Sequence, residues 1–186
     1  MRLFVAIEIP DEIRNTLAAF VKELRGIAPQ AKWMRVENMH VTLKFLGETE
    51  PAKVGAIEKV LGSIRSGEPV TLEFRGLGYF PNEKRPRVFW AGMEASPNLK
   101  MLAQEIDQGV HKLSFPLENR PFAPHLTLAR FEPPGLQPKL GSVAAENASR
   151  SFGSFTTRHF HLIESKLKPT GAEYTTVQSF AFVAES

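Results

Sequence analysis

Along the chain the apolar positions recur with two periods, and the changes of period mark out its elements. Residues 2–9 are a short apolar run of the strand type. From Asp11, which offers an N-cap just after Pro10, the residues Ile13, Leu17, Phe20, Val21 and Leu24 follow at helical spacing, and Gly26 closes that helix. Residues 33–36 predict a short strand, and Met39 to Leu46 alternates apolar and polar residues in a longer one that stops at Gly47. Pro51 opens a second helix, with Val54, Ile57, Val60, Leu61 and Ile64 as its buried stripe. Residues 70–77 alternate as a strand, 78–87 form a loop rich in glycine, proline and charge, 88–93 are a strand and 97–113 a third helix. A second alternating strand begins near His125, and 131–140 is a connector rich in proline and glycine. A short helix is predicted over 140–148. Residues 153–157, 159–166 and 174–183 predict three closing strands, the last two joined by the turn Lys168-Pro169-Thr170-Gly171. Strands and helices alternate, yet several strand pairs have links of hairpin length. The fold class is therefore α+β, with antiparallel or mixed sheets.

One detail of the pattern is duplicated. His40-Val41-Thr42-Leu43 recurs as His125-Leu126-Thr127-Leu128, so two of the five histidines open the same tetrapeptide. The surroundings repeat as well: strand, proline-marked helix start, helix, loop and His-x-Thr strand occur twice in that order, over approximately residues 2–47 and 87–131. Alternate residues of a strand project from one face. Each copy thus presents one imidazole and one hydroxyl side by side, over an anchoring row of aliphatic residues. By the same alternation Lys44 shares a face with His40 and Thr42, while Arg120 and Arg130 flank the second motif.

Composition narrows the classes without naming one. With 186 residues, 42% apolar and 23% charged, and with fourteen phenylalanines, the chain suits one domain or two small lobes sharing a core. No apolar run approaches the ~20 residues of a membrane span, and Glu8 and Pro10 cut the N-terminal run too short for a signal peptide. The absence of cysteine removes disulfides and thiolate metal sites and makes a cytoplasmic location the default expectation. A net charge of +3 is too small for a polybasic tail. A mildly basic groove formed by Lys44, Arg130 and their neighbours would suit a phosphate-bearing ligand.

Histidine is the side chain whose ordinary pKa, ~6.5, lets it give or take a proton near neutrality. Two of them can hold opposite protonation states, one as base and one as acid, which in-line displacement at phosphorus requires. The threonine hydroxyls can donate to non-bridging oxygens as charge develops. A 2′,3′-cyclic phosphate at an RNA end fits such a pair, since its strained ring opens with one activated water and one protonated leaving oxygen, with no metal or other cofactor. Metal ligation is the other use of paired histidines, but neither motif embeds a carboxylate and each strand offers one strong ligand. A serine hydrolase lacks its Gly-x-Ser-x-Gly elbow here. Two further readings stay open: a module that binds RNA ends or nucleotides with little turnover, and the same chemistry on a different cyclic phosphate.

These residues resemble a known family. Paired His-x-Thr motifs mark the two-histidine (2H) phosphoesterase superfamily, and the details are similar to its RNA 2′,3′-cyclic phosphodiesterases, also called 2′-5′ RNA ligases. The matching segments are Arg2-Leu3-Phe4-Val5-Ala6-Ile7, His40 to Gly47, Val88-Phe89-Trp90-Ala91-Gly92, Pro121 to Arg130, and Leu162 to Leu167 followed by Gly171 and Tyr174. The resemblance implies a bilobal fold with pseudo-two-fold symmetry, two antiparallel sheets flanked by helices, and an active-site cleft between the lobes. It implies hydrolysis of a terminal 2′,3′-cyclic phosphate to a 2′-phosphate. Some members also join tRNA halves through a 2′-5′ linkage without ATP. By that analogy His125 activates water and His40 protonates the departing 3′ oxygen, although the near-equivalent motifs do not themselves set the direction. Thr42 and Thr127 would grip the phosphate, with Arg130 next and Lys44 at the cleft rim. Phe45, Phe80 or Trp90 could stack on a base. His111, His159 and His161 fall outside the pattern: His111, at the end of a helix, is expected to face solvent, and His159 and His161 read as structural. The expected partner is RNA with a cyclic phosphate end, or a cyclic nucleotide, bound by a monomer with no membrane attachment.

Overall fold

A computed structural model describes residues 1–82, 84–123, 125–135 and 138–184. The elements in chain order are β1 (Arg2–Glu8), α1 (Asp11–Ile27), β2 (Lys32–Trp33), β3 (His40–Glu48), α2 (Val54–Gly62), β4 (Val70–Phe80), β5 (Val88–Ala95), α3 (Asn98–His111), β6 (His125–Arg130), α4 (Pro138–Glu146), β7 (Ser151–Thr157), β8 (His159–Lys168) and β9 (Gly171–Ala181). They form two sheets, ordered β3-β1-β8-β9 and β2-β6-β5-β4-β7. Every strand pair is antiparallel. The α+β class holds.

The first sheet joins the two ends of the chain, and the second is built from its middle. The dipeptide β2 crosses over to the second sheet, where Lys32 and Trp33 lie opposite Arg130 and Ala129. The helices cross over too. The stripe Ile13, Leu17, Phe20, Val21 and Leu24 of α1 is buried, as the spacing predicts. That helix follows β1 of the first sheet and packs against β7 of the second, whereas α3 follows β5 and packs against β3. One continuous core results, running from Leu3, Val5 and Ile7 through Leu17 and Leu72 to Phe74, Phe89 and Leu126. Each fully buried Phe or Leu in it is worth ~1.5–3 kcal/mol relative to exposure. Among the described residues no helix is long and apolar enough to cross a membrane.

Several boundaries differ from the pattern's forecast. Asp11 starts α1 instead of capping it, and with Glu12 it gives the first turn the acidic charge that the helix dipole favours. Residues 33–36 are not one strand: pairing stops at Trp33, and Val36–Asn38 form a 3₁₀ turn closed by Met39 N–H on the Val36 carbonyl at 3.0 Å. The strand β4 runs on to Phe80 because the hairpin continues, with Gly78 opposite Trp90 and Phe80 opposite Val88. Only glycine suits position 78, since a Cβ there would collide with the Trp90 indole. The β8–β9 hairpin closes at the foreseen turn, and β9 begins at Gly171 instead of Tyr174. Pro124 and part of the connector, residues 136–137, lie outside the described residues.

Candidate active site

Strand pairing decides which side chains join the two motifs. In the β1–β3 pair, Glu8 lies opposite His40 and Ala6 opposite Thr42, but Val5 lies opposite Lys44, so Leu43 is an extra residue. The β5–β6 pair does the same: Gly92 lies opposite His125, Trp90 opposite Thr127 and Phe89 opposite Ala129, with Leu128 extra. A bulge reverses the facing of everything after it. Residues opposite each other share a face, so His40 and Thr42 stand on the face of Glu8 and Ala6, and Lys44 turns to the face of Val5, inside the core. Phe45, opposite Phe4, returns to the histidine face. On the second sheet Ala129 is turned in and Arg130, opposite Val88, comes back out beside Thr127.

Lys44 is therefore not at the cleft rim. Its side chain is 3% exposed, and Nζ lies 2.7 Å from Asp107 Oδ1 and 3.5 Å from Glu118 Oε1. It also donates to the Pro116 carbonyl at 2.6 Å. Period-two alternation had put it beside Thr42; the bulge at Leu43 moved it across the sheet. It is a strut from β3 to α3 and the segment that follows.

The two motif strands meet where the sheets join, Cα atoms of β3 and β6 approaching within 8 Å. Both imidazoles are held in the same way. Nδ1 of His40 lies 3.1 Å from the Asn38 carbonyl, and Nδ1 of His125 lies 3.0 Å from the Ala123 carbonyl. A carbonyl oxygen only accepts, so each ring donates through Nδ1 and keeps Nε2 for proton exchange. The residue two before each motif histidine thus sets its tautomer.

The environments differ. His40 is half-buried, its ring 5.9 Å from Phe4 and 5.6 Å from Tyr174 between centroids. Burial pulls its pKa below the ordinary value; the Asn38 carbonyl and the Glu8 carboxylate oppose that, while Arg14 and His161 add to it. His125 is exposed beside Trp90, at 6.2 Å. Thr42 and Thr127 are half-buried, and their hydroxyls make no hydrogen bond among the described residues. Arg130 is exposed and likewise has no ion pair among them.

Side chains absent from the motif pattern complete the His40 face. His161 lies opposite Ala6 on β8, and Glu8 bridges toward it, with Oε2 3.8 Å from His161 Nε2. Ser179 Oγ lies 2.8 Å from His161 Nδ1, and Thr176 donates to Glu8 Oε1 at 3.2 Å. Asn38 Nδ2 donates to the Ala172 carbonyl at 3.0 Å and so pins the β8–β9 hairpin beside His40. A cavity of about 510 Å³ opens there, lined by Arg35, Asn38, His40, Thr170 and Tyr174 among others. Nothing in the local sequence of Glu8 or His161 signals this grouping, because strand neighbours bring it about. His111 ends α3 with Nδ1 2.9 Å from the Phe115 carbonyl, apart from the motifs' pattern as read.

Each Nε2, its tautomer fixed, can give or take a proton, and the threonine hydroxyls and the Arg130 guanidinium can donate to an anion. The chain as a whole is similar to known proteins. A family model described as LigT like Phosphoesterase matches residues 7–90 and 93–174, spanning both motifs. A protein of Archaeoglobus fulgidus named RNA 2′,3′-cyclic phosphodiesterase is 36% identical over 180 residues, 97% of this chain and 99% of that one. The protein of the same name from Thermus thermophilus is 36% identical over 196 residues, covering 100% of this chain and 92% of its own length. Among solved structures, a Thermus thermophilus protein superposes with a TM-score of 0.82 at 31% identity over 100% of both chains. E. coli LigT complexed with 3′-AMP does so with 0.76 at 28%, over 98% of each. Matched from the first strand to the β8–β9 hairpin, with both His-x-Thr strands inside the match, this chain belongs to the LigT-like phosphoesterases.

Proposed function

We propose that this protein hydrolyses RNA 2′,3′-cyclic phosphate ends to 2′-phosphates by two-histidine acid–base catalysis without a metal. The observation that carries the reading is the matched pair of imidazoles, each donating Nδ1–H to the carbonyl two residues back and presenting Nε2. Water attacks phosphorus and gives its proton to one Nε2. The P–O3′ bond breaks, and the other Nε2 protonates the 3′ oxygen, leaving the phosphate on the 2′ oxygen. By family resemblance His125 is the base and His40 the acid. The bound phosphate anion raises the pKa of His40 against the effect of burial, so the acid is charged when substrate is present. Thr42 and Thr127 donate to the non-bridging oxygens, and Arg130 balances the charge that builds there.

The names of the relatives support this substrate class, as does the 3′-AMP complex of E. coli LigT. With a 5′ hydroxyl in place of water as the nucleophile, the same steps would join RNA ends through a 2′-5′ linkage without ATP, the 3′ oxygen again leaving protonated. We further infer a cytoplasmic monomer that acts on RNA; a chain without cysteine suits a reducing compartment. The whole chain forms one bilobal unit, in which residues 2–47 and 87–131 are copies of one motif.

The test is an RNA oligonucleotide ending in a 2′,3′-cyclic phosphate, incubated in excess EDTA with the wild type, His40→Ala and His125→Ala. Conversion to the 2′-phosphate is expected, with kcat lower by roughly 10² or more in each variant. Activity that returns only with added metal would overturn the metal-free mechanism, and binding without turnover would leave a module for RNA ends.

A further inference from the structure

The Asn38 carbonyl that takes His40 Nδ1–H belongs to the 3₁₀ turn Val36–Asn38, and that turn is clamped on both sides of it. On one side Arg14, near the start of α1, donates from its guanidinium to the Glu37 carbonyl at 2.7 Å and, through Nε, to the Ile9 carbonyl at 2.9 Å. The turn is thereby tied to the end of β1. On the other side the Asn38 side chain donates to the Ala172 carbonyl at the start of β9, 134 positions along the chain. The Asn38 N–H closes on the Arg35 carbonyl at 3.0 Å, so the peptide units around the holder have partners of their own. His125 is held differently: its partner is the Ala123 carbonyl, and an alanine side chain can donate to nothing.

The clamp matters because packing leaves the ring undecided. Phe4 and Tyr174 set the plane of the His40 imidazole, but a half-turn about χ2 exchanges a C–H edge for an N–H edge of nearly the same size. Among the described residues, the hydrogen bond that tells the two orientations apart is the one to Asn38. With His40 as the charged acid, that bond aims Nε2–H at the departing oxygen. Once the proton has gone, it holds the neutral ring with its remaining proton on Nδ1. A carbonyl free to swing would serve neither state.

We propose that Asn38 and Arg14 are positioning residues for His40: they hold the carbonyl that orients its ring, and through the Asn38 side chain that orientation depends on the docked β8–β9 hairpin. The inference rests, for its effect on turnover, on the phosphodiesterase reading above. In this role neither side chain acts on the substrate, so their loss falls on the chemical step and not on binding.

The experiment takes the wild type, Asn38→Ala, Asn38→Leu and Arg14→Lys through two measurements. One is the tautomer of each histidine ring, from NMR of the ring nitrogens without substrate at a pH above the ordinary histidine pKa. The other is kcat and KM on an RNA ending in a 2′,3′-cyclic phosphate. Asn38→Leu fills the half-buried place without a donor. Arg14→Lys keeps the charge near His40 but lacks the planar fork, so a change in it reports the clamp and not the field. In each variant the His40 ring should lose its uniform Nδ1–H form and acquire Nε2–H, while the His125 ring stays as it is. The kcat should fall roughly 10- to 100-fold, the scale of a small misplacement at a reacting group, with KM within about threefold of wild type. An unchanged His40 tautomer in Asn38→Leu and Arg14→Lys would overturn the proposal. So would a shift of both motif rings together, which marks a general loosening, or a shift at His40 that leaves the wild-type kcat intact. If the wild type itself converts no RNA, hydrolysis is refuted, and a shift confined to His40 still upholds the clamp.

Discussion

Replacing Lys44 by methionine should weaken the fold while leaving the chemistry almost untouched. The side chain is 3% exposed and ion-paired with Asp107 at 2.7 Å, and it also donates to the Pro116 carbonyl at 2.6 Å. Methionine keeps most of the buried stem but removes the charge. Taking one partner from a buried ion pair costs about 3–5 kcal/mol, because the other charge is stranded. Here the loss should lie near the lower end: the Asp107 side chain is 17% exposed and its two oxygens still accept the Glu118 N–H at 3.3 and 3.2 Å. At ~2–4 °C per kcal/mol for a chain of this size, the melting temperature should fall by roughly 6–12 °C. Urea unfolding should show the same loss as a lower midpoint at an unchanged slope. In Lys44→Met/Asp107→Asn the stranded charge is gone, so the double variant should recover part of the loss, a coupling of about 1–3 kcal/mol. Well below the melting transition, kcat/KM on cyclic-phosphate RNA should stay within about threefold of wild type, since no transition-state contact is lost. A fall of ten-fold or more at unchanged melting temperature would refute the strut and return Lys44 to the cleft.

Because burial lowers the pKa of His40 and the proposed acid must be protonated, the alkaline limb of kcat/KM should lie below the ordinary histidine value, while that of kcat, with the anionic substrate bound, should lie higher. Glu8→Gln removes a carboxylate that raises His40, so it should move the kcat/KM limb to lower pH; a limb that stays in place in pH–rate profiles would exclude Glu8 from the site's electrostatics. Arg130→Ala should lower kcat/KM by roughly 10- to 100-fold, the loss of one charge-assisted contact to the phosphate, and flatten its dependence on salt; an unaltered salt slope would count against that contact. In Gly78→Ala the new methyl collides with the Trp90 indole, so the variant should lose about 1–3 kcal/mol in urea unfolding and, through Trp90, lower the activity that depends on His125; full stability would mean the indole has another place to lie.

The local features of this protein were legible residue by residue. The stripe of α1 followed from the spacing of Ile13, Leu17, Phe20, Val21 and Leu24, and all five are buried. The duplicated His-x-Thr tetrapeptide named the candidate histidines and threonines, because residues i and i+2 share a strand face wherever the strand is regular. The two carbonyls that set the histidine tautomers lie only two residues back, yet no pattern announces them, since every residue has a carbonyl.

What the pattern could not carry is phase across an irregularity and proximity between distant strands. Leu43 and Leu128 look like ordinary members of alternating runs, and whether a residue is paired or bulged depends on the neighbouring strand, here β1 and β5. That single step buried Lys44, exposed Phe45 and placed Arg130 beside its threonine. The grouping of Glu8, His161, Ser179 and Thr176 about the His40 face likewise comes from β8 and β9, more than a hundred residues along the chain from β1. Sequence by itself determined the periods and the identity of the titratable pair, both of which depend on interactions within a few residues. Strand order, bulges and the crossing of α1 and α3 to opposite sheets were decided by tertiary structure, because hydrogen-bond register and burial are properties of pairs of segments and not of either segment alone.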